Sequence, residues 1–438
     1  MPMTASAPAR DAVLEVAAEN AAYAKVTWRL IPFLFLCYVV SWLDRVNVGF
    51  AKLQMQGDLQ FSDTVYGLGA GIFFIGYFLF EVPSNVILHR AGARLWIARI
   101  MVTWGILSSA MMFVSSAKAF YGLRFLVGVS EAGFFPGIIL YLTYWYPARR
   151  RVRIMALFLT AISATGVVGG PLSGWILKNM NGVNGLAGWK WLFLLEGIPS
   201  LVMGISTWFY LDDSIQSSKW LADGEKELLA RNIAADNAHK SSHELRHAFA
   251  EPKVWVLAFV YFCFVSGLYA ISFWLPQIIK NTGVKDPLDI GLLTAIPWGI
   301  GAVGMVLWGR SSDRTGERRW HTALAGVLGG VALLVSTAYG QNTVASLIAL
   351  SLATVGILAT LPIFWALPTA FLTGGAAAAG IAWINSVGNL GGFVAPYLVG
   401  WLRDVTQSTA AGLYVLSAGL VLGGVVVLVL IPKRIFRE

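Results

Sequence analysis

The chain has 438 residues, of which 57% are apolar and only 13% charged, where an ordinary soluble domain carries about a quarter charged. That balance excludes a water-soluble globule and points to a chain that lives in a lipid bilayer. The net charge of +9 does not imply a nucleic-acid partner, because the basic residues are spread between apolar runs and do not collect on one soluble face.

Residues 1–27 are Ala-rich and polar and include Asp11, Glu15 and Glu19. No apolar core precedes a small-residue cleavage site, so the segment is expected to be a short mobile cytoplasmic tail and not a signal peptide. Twelve apolar runs follow, at 28–50, 64–88, 95–116, 119–146, 152–177, 190–211, 253–279, 288–310, 321–340, 344–372, 377–402 and 410–431. Each is long enough to cross ~30 Å of hydrocarbon. Cys37 and Cys263 fall inside these runs and read as small buried apolar residues, not as a disulfide framework. Pro83, Pro136, Pro171, Pro297 and Pro368 are interior and predict kinks.

The short loops set the sidedness. One set carries His89, Arg90 and Arg94, then Arg149, Arg150, Arg151 and Arg153, then Arg310, Arg314, Arg318 and Arg319; the other carries scattered Lys52, Lys118, Lys178, Lys190, Lys280, Lys285 and Arg403. The positive-inside rule makes the first set cytoplasmic. Both termini are then cytoplasmic, in agreement with Lys433, Arg434 and Arg437 in the terminal segment 432–438. Residues 212–252 are polar and charged and lie midway, which makes them a partly helical cytoplasmic linker between a lobe at 28–211 and another at 253–431. An internal repeat supports the division: His89-Arg90-Ala91-Gly92-Ala93-Arg94-Leu95-Trp96 matches Asp313-Arg314-Thr315-Gly316-Glu317-Arg318-Arg319-Trp320 at Arg, Gly, Arg and Trp, each between its half's second and third spans.

Charged side chains inside the runs cost roughly 2.5–3.5 kcal/mol each on insertion scales, and so mark pathways through a bundle interior. Asp44 and Arg45 are adjacent near the end of the first run; Arg124 and Glu131 lie seven residues apart on one face of the fourth. At ~1.5 Å per residue Asp44 and Arg124 reach similar depth and are expected to pair, with Glu131 two turns deeper, where burial suits a group that takes up and releases a proton. Arg45 or Arg124 offers a fork for a substrate carboxylate. Glu81 is expected to pair with a loop arginine, and Glu196 has no partner evident from sequence. Tyr269, Trp274 and Trp298 are candidate walls of an apolar cavity.

The stretch Gly309-Arg310-Ser311-Ser312-Asp313-Arg314-Thr315-Gly316-Glu317-Arg318-Arg319 resembles the loop signature of the major facilitator superfamily. Within it, Trp42-Leu43-Asp44-Arg45-Val46-Asn47, the run from Gly76 to Asn85 that contains Tyr77, the run from Arg124 to Gly137 and the run from Trp191 to Pro199 resemble the anion:cation symporter family, closest to its tartrate-type bacterial members. The resemblance implies an all-α membrane protein of twelve transmembrane helices in two six-helix lobes, not an enzyme, that imports a small organic carboxylate with protons across a bacterial inner membrane. Position by position it implies Asp44 and Glu131 as proton-coupling acids and Arg45, Tyr77 and Arg124 as substrate or gating residues. Trp365 and Asn385 match cavity-lining positions, and Asn389 is a further candidate one turn on. The resemblance also implies that Arg90, Arg94, Asp313, Arg314 and Arg318 form a loop motif that latches the lobes in one state, and the first-half copy is expected to be weaker because His89 stands where Asp313 does. No cofactor or metal is implied, and a monomer is expected.

Other readings carry less of the sequence. His243-Glu244-Leu245-Arg246-His247 fits a zinc-protease pattern but lies in a linker too short for a protease domain. Gly166-Val167-Val168-Gly169-Gly170-Pro171-Leu172-Ser173-Gly174-Trp175 resembles a proton-antiporter motif, although Trp175 breaks its last position, so export of a drug-like solute is the alternative. A receptor without turnover is disfavoured by the buried charges and the lobe symmetry.

Overall fold

The computed structural model describes residues 7–238, 251–370 and 374–431. Eight helices build the first lobe: α1 (Ala7–Val46), α2 (Val48–Leu59), α3 (Asp63–Ala91), α4 (Ala93–Ala110), α5 (Ala117–Glu131), α6 (Phe134–Thr143), α7 (Ala148–Asn179) and α8 (Gly188–Tyr210). A linker helix α9 (Asp223–Ala238) follows. The second lobe contains α10 (Pro252–Asn281), α11 (Pro287–Thr315), α12 (Arg319–Ala338), α13 (Thr343–Phe364), α14 (Ala366–Thr369), α15 (Gly374–Asn389), α16 (Gly391–Thr406) and α17 (Thr409–Leu430). No strand occurs among the described residues.

These helices make twelve crossings, six per lobe. Eleven are apolar and long enough to span a bilayer; the other consists of α15 and α16, two 16-residue helices that meet at Leu390. The turns at the end opposite the start of α1, here the far end, follow local capping chemistry. Ser62, Ser116, Asp286, Asn342 and Ser408 each accept a hydrogen bond from a backbone N–H of the helix they begin.

Four crossings are interrupted: at Asn47, at Ala132–Gly133, at Trp365 and at Leu390. Two of the breaks follow from proline. Pro136 and Pro368 have no N–H to give to the carbonyl four residues earlier, at Ala132 and Phe364, which is where those helices part. Pro83, Pro171 and Pro297 instead sit inside continuous helices.

The repeat is visible in the backbone. Gly92 and Gly316 occupy equivalent positions and both have positive φ, +90° and +68°, where a side chain would be strained. The N-terminal segment differs from expectation. From Ala7 onward it is not a mobile tail but the start of α1, as its alanine content favours. It docks on α9 through Lys25–Glu225 (2.9 Å) and Arg231–Glu15, and on α7 through Arg150–Glu19 (2.8 Å). The His243–His247 pattern and the C-terminal cations lie outside the described residues. Cys37 and Cys263 are buried free thiols.

The lobes meet along two seams, α3 with α16 and α7 with α11. On α7, Gly166, Gly170 and Gly174 lie one turn apart and face Trp298, Gly291 and Pro287. A Cβ on Gly291 would come within 2.2 Å of the Gly170 carbonyl oxygen, so the backbones approach as closely as two glycines allow. The antiporter-like glycine motif is therefore the first lobe's half of an interlobe seam.

Candidate functional site

Adjacent residues on a helix point about 100° apart, so Asp44 and Arg45 address different neighbours. Asp44, 1% exposed, turns into its own lobe. Its carboxylate accepts from Trp104 Nε1 (2.7 Å) and Ser108 Oγ (2.9 Å) on α4 and from Ser200 Oγ on α8. Arg45 turns toward α5 and the second lobe. One arm of its guanidinium pairs with Glu131 Oε1, and the other donates to the Tyr269 hydroxyl across the lobe interface at 3.1 Å. Ser41, one turn earlier on α1, donates to the same Glu131 oxygen at 2.9 Å.

The expected Asp44–Arg124 pair does not form. Arg124 spends Nε and Nη2 on the carbonyls of Gly69 and Ala70 in α3, both at 3.3 Å, and so clamps α5 to α3. Asp44 faces α4 and α8 instead, and the ion pair on this face belongs to Arg45 and Glu131. Glu131 ends α5, immediately before the break, and is fully buried with Oε2 unpartnered. Arg45 Nε is also buried without a partner. Such orphaned atoms are costly and rare, and here they lie on both members of one pair.

An aromatic cage surrounds the pair. Trp42, Phe73 and Tyr77 place their ring centres 5.2, 5.3 and 5.4 Å from the Arg45 guanidinium, and Trp42 stacks on Tyr269 at 5.7 Å. Tyr77 thus lies against the Arg45 guanidinium. Trp365 is half-buried at the break after α13 and packs on Tyr261 (4.8 Å), two turns before Tyr269 on α10. Asn385 and Asn389 are half-buried on α15, and Gly388 between them lies against the Tyr261 ring.

Of the loop motif, Asp313 and Arg318 pair within their own loop at 2.6 Å, and Arg90 and Arg314 are exposed. Arg94 holds Asp213 of the linker through its backbone N–H (2.9 Å) and its guanidinium (3.6 Å). Glu81 is buried and has no ion pair among the described residues, since Arg90 points to solvent and Arg94 is taken by Asp213. Glu196 does have a partner: Ser173 Oγ donates to its Oε1 at 2.7 Å.

Sequence reasoning missed the closure of the far end. Lys52, with no exposed side-chain surface, pairs with Asp63 at 2.6 Å. Its ammonium lies 3.6 Å from the Trp274 ring centre in the second lobe. Arg403 reaches Asp63 across the seam at 3.1 Å, and the Asp404 carboxylate accepts from the backbone N–H groups of Asp63 (3.1 Å) and Thr64 (2.8 Å) at the start of α3. Lys280 donates to the Leu53 carbonyl (3.0 Å), and Lys178 pairs with Asp286 (2.5 Å). That second carboxylate is held below its usual range by the hydrogen bond from Lys178. The contacts that tie the lobes together lie at mid-depth and in this far half. The signal was present as charges at span ends, which read as topogenic.

Two six-helix lobes around a buried, incompletely satisfied ion pair define a membrane transporter. Comparison with known proteins agrees: residues 34–396 match the Major Facilitator Superfamily model, and the chain belongs to that family. It is 51% identical over 409 residues, 93% of this chain and 94% of the relative, to a protein of Agrobacterium vitis provisionally named a tartrate transporter. It is 42% identical, over 93% and 94% of the two chains, to a quinolone resistance transporter of Acinetobacter baumannii. Among solved structures, a bacterial homolog of the human lysosomal transporter Spinster, in an inward-facing and occupied conformation, matches 93% of this chain and 98% of its own at a TM-score of 0.76 and 14% identity.

Proposed function

We propose that this transporter is a proton-coupled symporter that brings a small organic carboxylate, a tartrate-like hydroxy acid, sugar acid or aromatic dicarboxylate, into a bacterial cell. The observation that carries the reading is the Arg45–Glu131 pair, buried at the lobe interface and bonded to Tyr269 of the opposite lobe. A proton on Glu131 releases the guanidinium, which keeps its own charge and offers a planar fork to a carboxylate. The Tyr269 contact is then where substrate occupancy reaches the second lobe. With both termini in the cytoplasm, the far end faces the periplasm, and the bonds at Asp63 and Asp404 close it, which makes this an inward-facing state. Protons are the coupling ion, and one chain suffices without metal or cofactor.

The direct test is uptake of radiolabelled tartrate, galactonate and phthalate into proteoliposomes under an inward proton gradient. The reading requires concentrative uptake of at least one of them that a protonophore abolishes. A second reading, proton-driven export of a drug-like solute, is favoured by the quinolone resistance relative. An imposed proton gradient that drives a fluoroquinolone out against its gradient, with no carboxylate carried, decides for it.

A further inference from the structure

A second acid lies behind the ion pair. Glu196 on α8 is 1% exposed and one turn from Ser200, the residue that donates to Asp44. Neither Glu196 nor Asp44 forms an ion pair among the described residues. The charged groups that act on the two are each other, Glu131, already bound to Arg45, and Arg124, bound to the α3 carbonyls. From α7 the facing group is the Ser173 hydroxyl; from the α1–α2 joint it is the Asn47 amide. α4 presents Ser108 and Trp104, both turned to Asp44.

Glu196 is incompletely satisfied. Ser173 supplies one hydrogen bond to Oε1, while Oε2 is buried without a partner. Asn47, 1% exposed, has neither its amide nitrogen nor its amide oxygen bonded, although it lies beside this carboxylate. Asn47 and Ser173 also line a cavity of about 20 Å³, together with Trp42, Thr165, Thr294 and Trp298. That volume suits a single water, which needs roughly 10–15 Å³ on this measure and two to four polar partners. Thr294 and Trp298 belong to the second lobe, so the cavity lies at the α7–α11 seam where Gly170 meets Gly291.

We propose that Glu196, with Asn47 and Ser173, is a second proton-binding station, reached through one water in this cavity and opened to the far face when α7 and α11 part. A hydronium ion arriving in the cavity from the far side gives a proton to Ser173 Oγ and leaves as water, while the Ser173 hydroxyl passes its own proton along its hydrogen bond to Glu196 Oε1, converting a carboxylate to a neutral acid; the reverse transfer restores it. The inference rests on the proton-coupled reading above and adds to it a second acid and one more proton per cycle. Glu131 answers to the substrate fork and Glu196 to the far-side opening.

The test begins without substrate. Infrared difference spectra of the purified protein in lipid, acid minus alkaline, are expected to contain a buried carboxylic C=O band that disappears in Glu196→Gln. Absence of any such difference between wild type and Glu196→Gln overturns the proposal, and so does loss of the band on adding sodium chloride at fixed pH, which makes the site a sodium site. The second measurement counts protons per tartrate with a lumenal pH dye and labelled solute. Glu196→Gln is expected to keep tartrate counterflow, which shows that it is folded, while carrying about one proton fewer per turnover than wild type; Glu196→Asp is expected to recover part of the loss. An unchanged ratio overturns the proposal. Failure of wild type to couple any of tartrate, galactonate and phthalate to protons, with the band still titrating, counts against the symport reading and leaves the proton site standing.

Discussion

Asp63 holds the far end closed, and Asp63→Asn is expected to open it. The substitution keeps the shape and removes the carboxylate paired with Lys52, leaving two cations, Lys52 and Arg403, around an amide. Breaking a fully buried pair costs about 3–5 kcal/mol. Asp63 and Arg403 retain 13% and 23% side-chain exposure, so about 2–3 kcal/mol is the appropriate figure here. The cost falls on the far-closed state, because parting the lobes gives the Lys52 ammonium water in place of Trp274 of the second lobe. The far-open to far-closed ratio should therefore rise roughly 30- to 150-fold. The assay is double electron–electron resonance in lipid nanodiscs with nitroxides on Lys118→Cys and Gln341→Cys, exposed positions at the far end of the two lobes. The native thiols Cys37 and Cys263 are buried. The distance distribution should move to longer values in Asp63→Asn, and also in Arg403→Gln, which removes only the cross-seam bond. A distribution identical to wild type in both variants refutes the assignment of this cluster as the far gate.

Glu131→Gln should abolish proton-driven accumulation and spare counterflow, because an amide still releases Arg45 but carries no proton; undiminished concentrative uptake argues against Glu131. Arg45→Lys replaces a planar fork with a point charge and should weaken apparent substrate affinity by roughly 10- to 100-fold, about the worth of a charged hydrogen bond, read from the concentration dependence of uptake. Gly291→Val puts carbon within 2.2 Å of the Gly170 carbonyl oxygen and should prevent the seam from closing, giving the long spin-label distance even with Asp63 intact. Glu225 is held below the usual carboxylate range by Lys25 and then by the Ala222 N–H. A depressed folded-state value contributes stability above the unfolded value of ~4.3 that is lost as pH falls through the folded value. Docking of α9 on α1 should thus be constant near neutral pH and loosen in acid, seen as faster amide exchange in α9.

Much of the architecture is legible because a bilayer imposes few solutions. The spacing of apolar runs, the arginine loops and the Gly92–Gly316 repeat each report a constraint that acts within one segment. The partners of the charges are not legible in that way. Helix depth made Asp44 and Arg124 a plausible pair, yet depth says nothing of rotation about the axis, and a residue next door, Arg45, faces Glu131. The far gate was missed for a related reason. Lys52, Asp63, Arg403 and Asp404 are distant in sequence and meet only when the lobes dock, so no local pattern distinguishes them from loop charges. Tyr269 read as one more aromatic wall residue until its hydroxyl proved to be the second lobe's contact with Arg45.

The position of Glu131 explains how proton and substrate would be coupled in the proposed cycle. It is the last residue of α5, where the unsatisfied carbonyls of a helix end make the surroundings negative, and it is fully buried. A bare carboxylate there is opposed twice, by desolvation and by the helix end, and only Arg45 offsets both. Arg45 cannot be given wholly to a substrate carboxylate while Glu131 stays charged, since that strands a buried anion at a cost of several kcal/mol. Two occupancies avoid this: Arg45 on Glu131 with no proton and no substrate, or Arg45 on the substrate with a proton on Glu131. The break at Ala132–Gly133, directly after Glu131, and the break at Asn47, two residues after Arg45, place the interrupted backbone of both crossings beside this exchange. Backbone of that kind is tolerated at membrane depth where it is buried in protein or lines a cavity. The same two side chains therefore lie where the helices can bend, so a change of partner at Arg45 is also a change at the joint between the lobes.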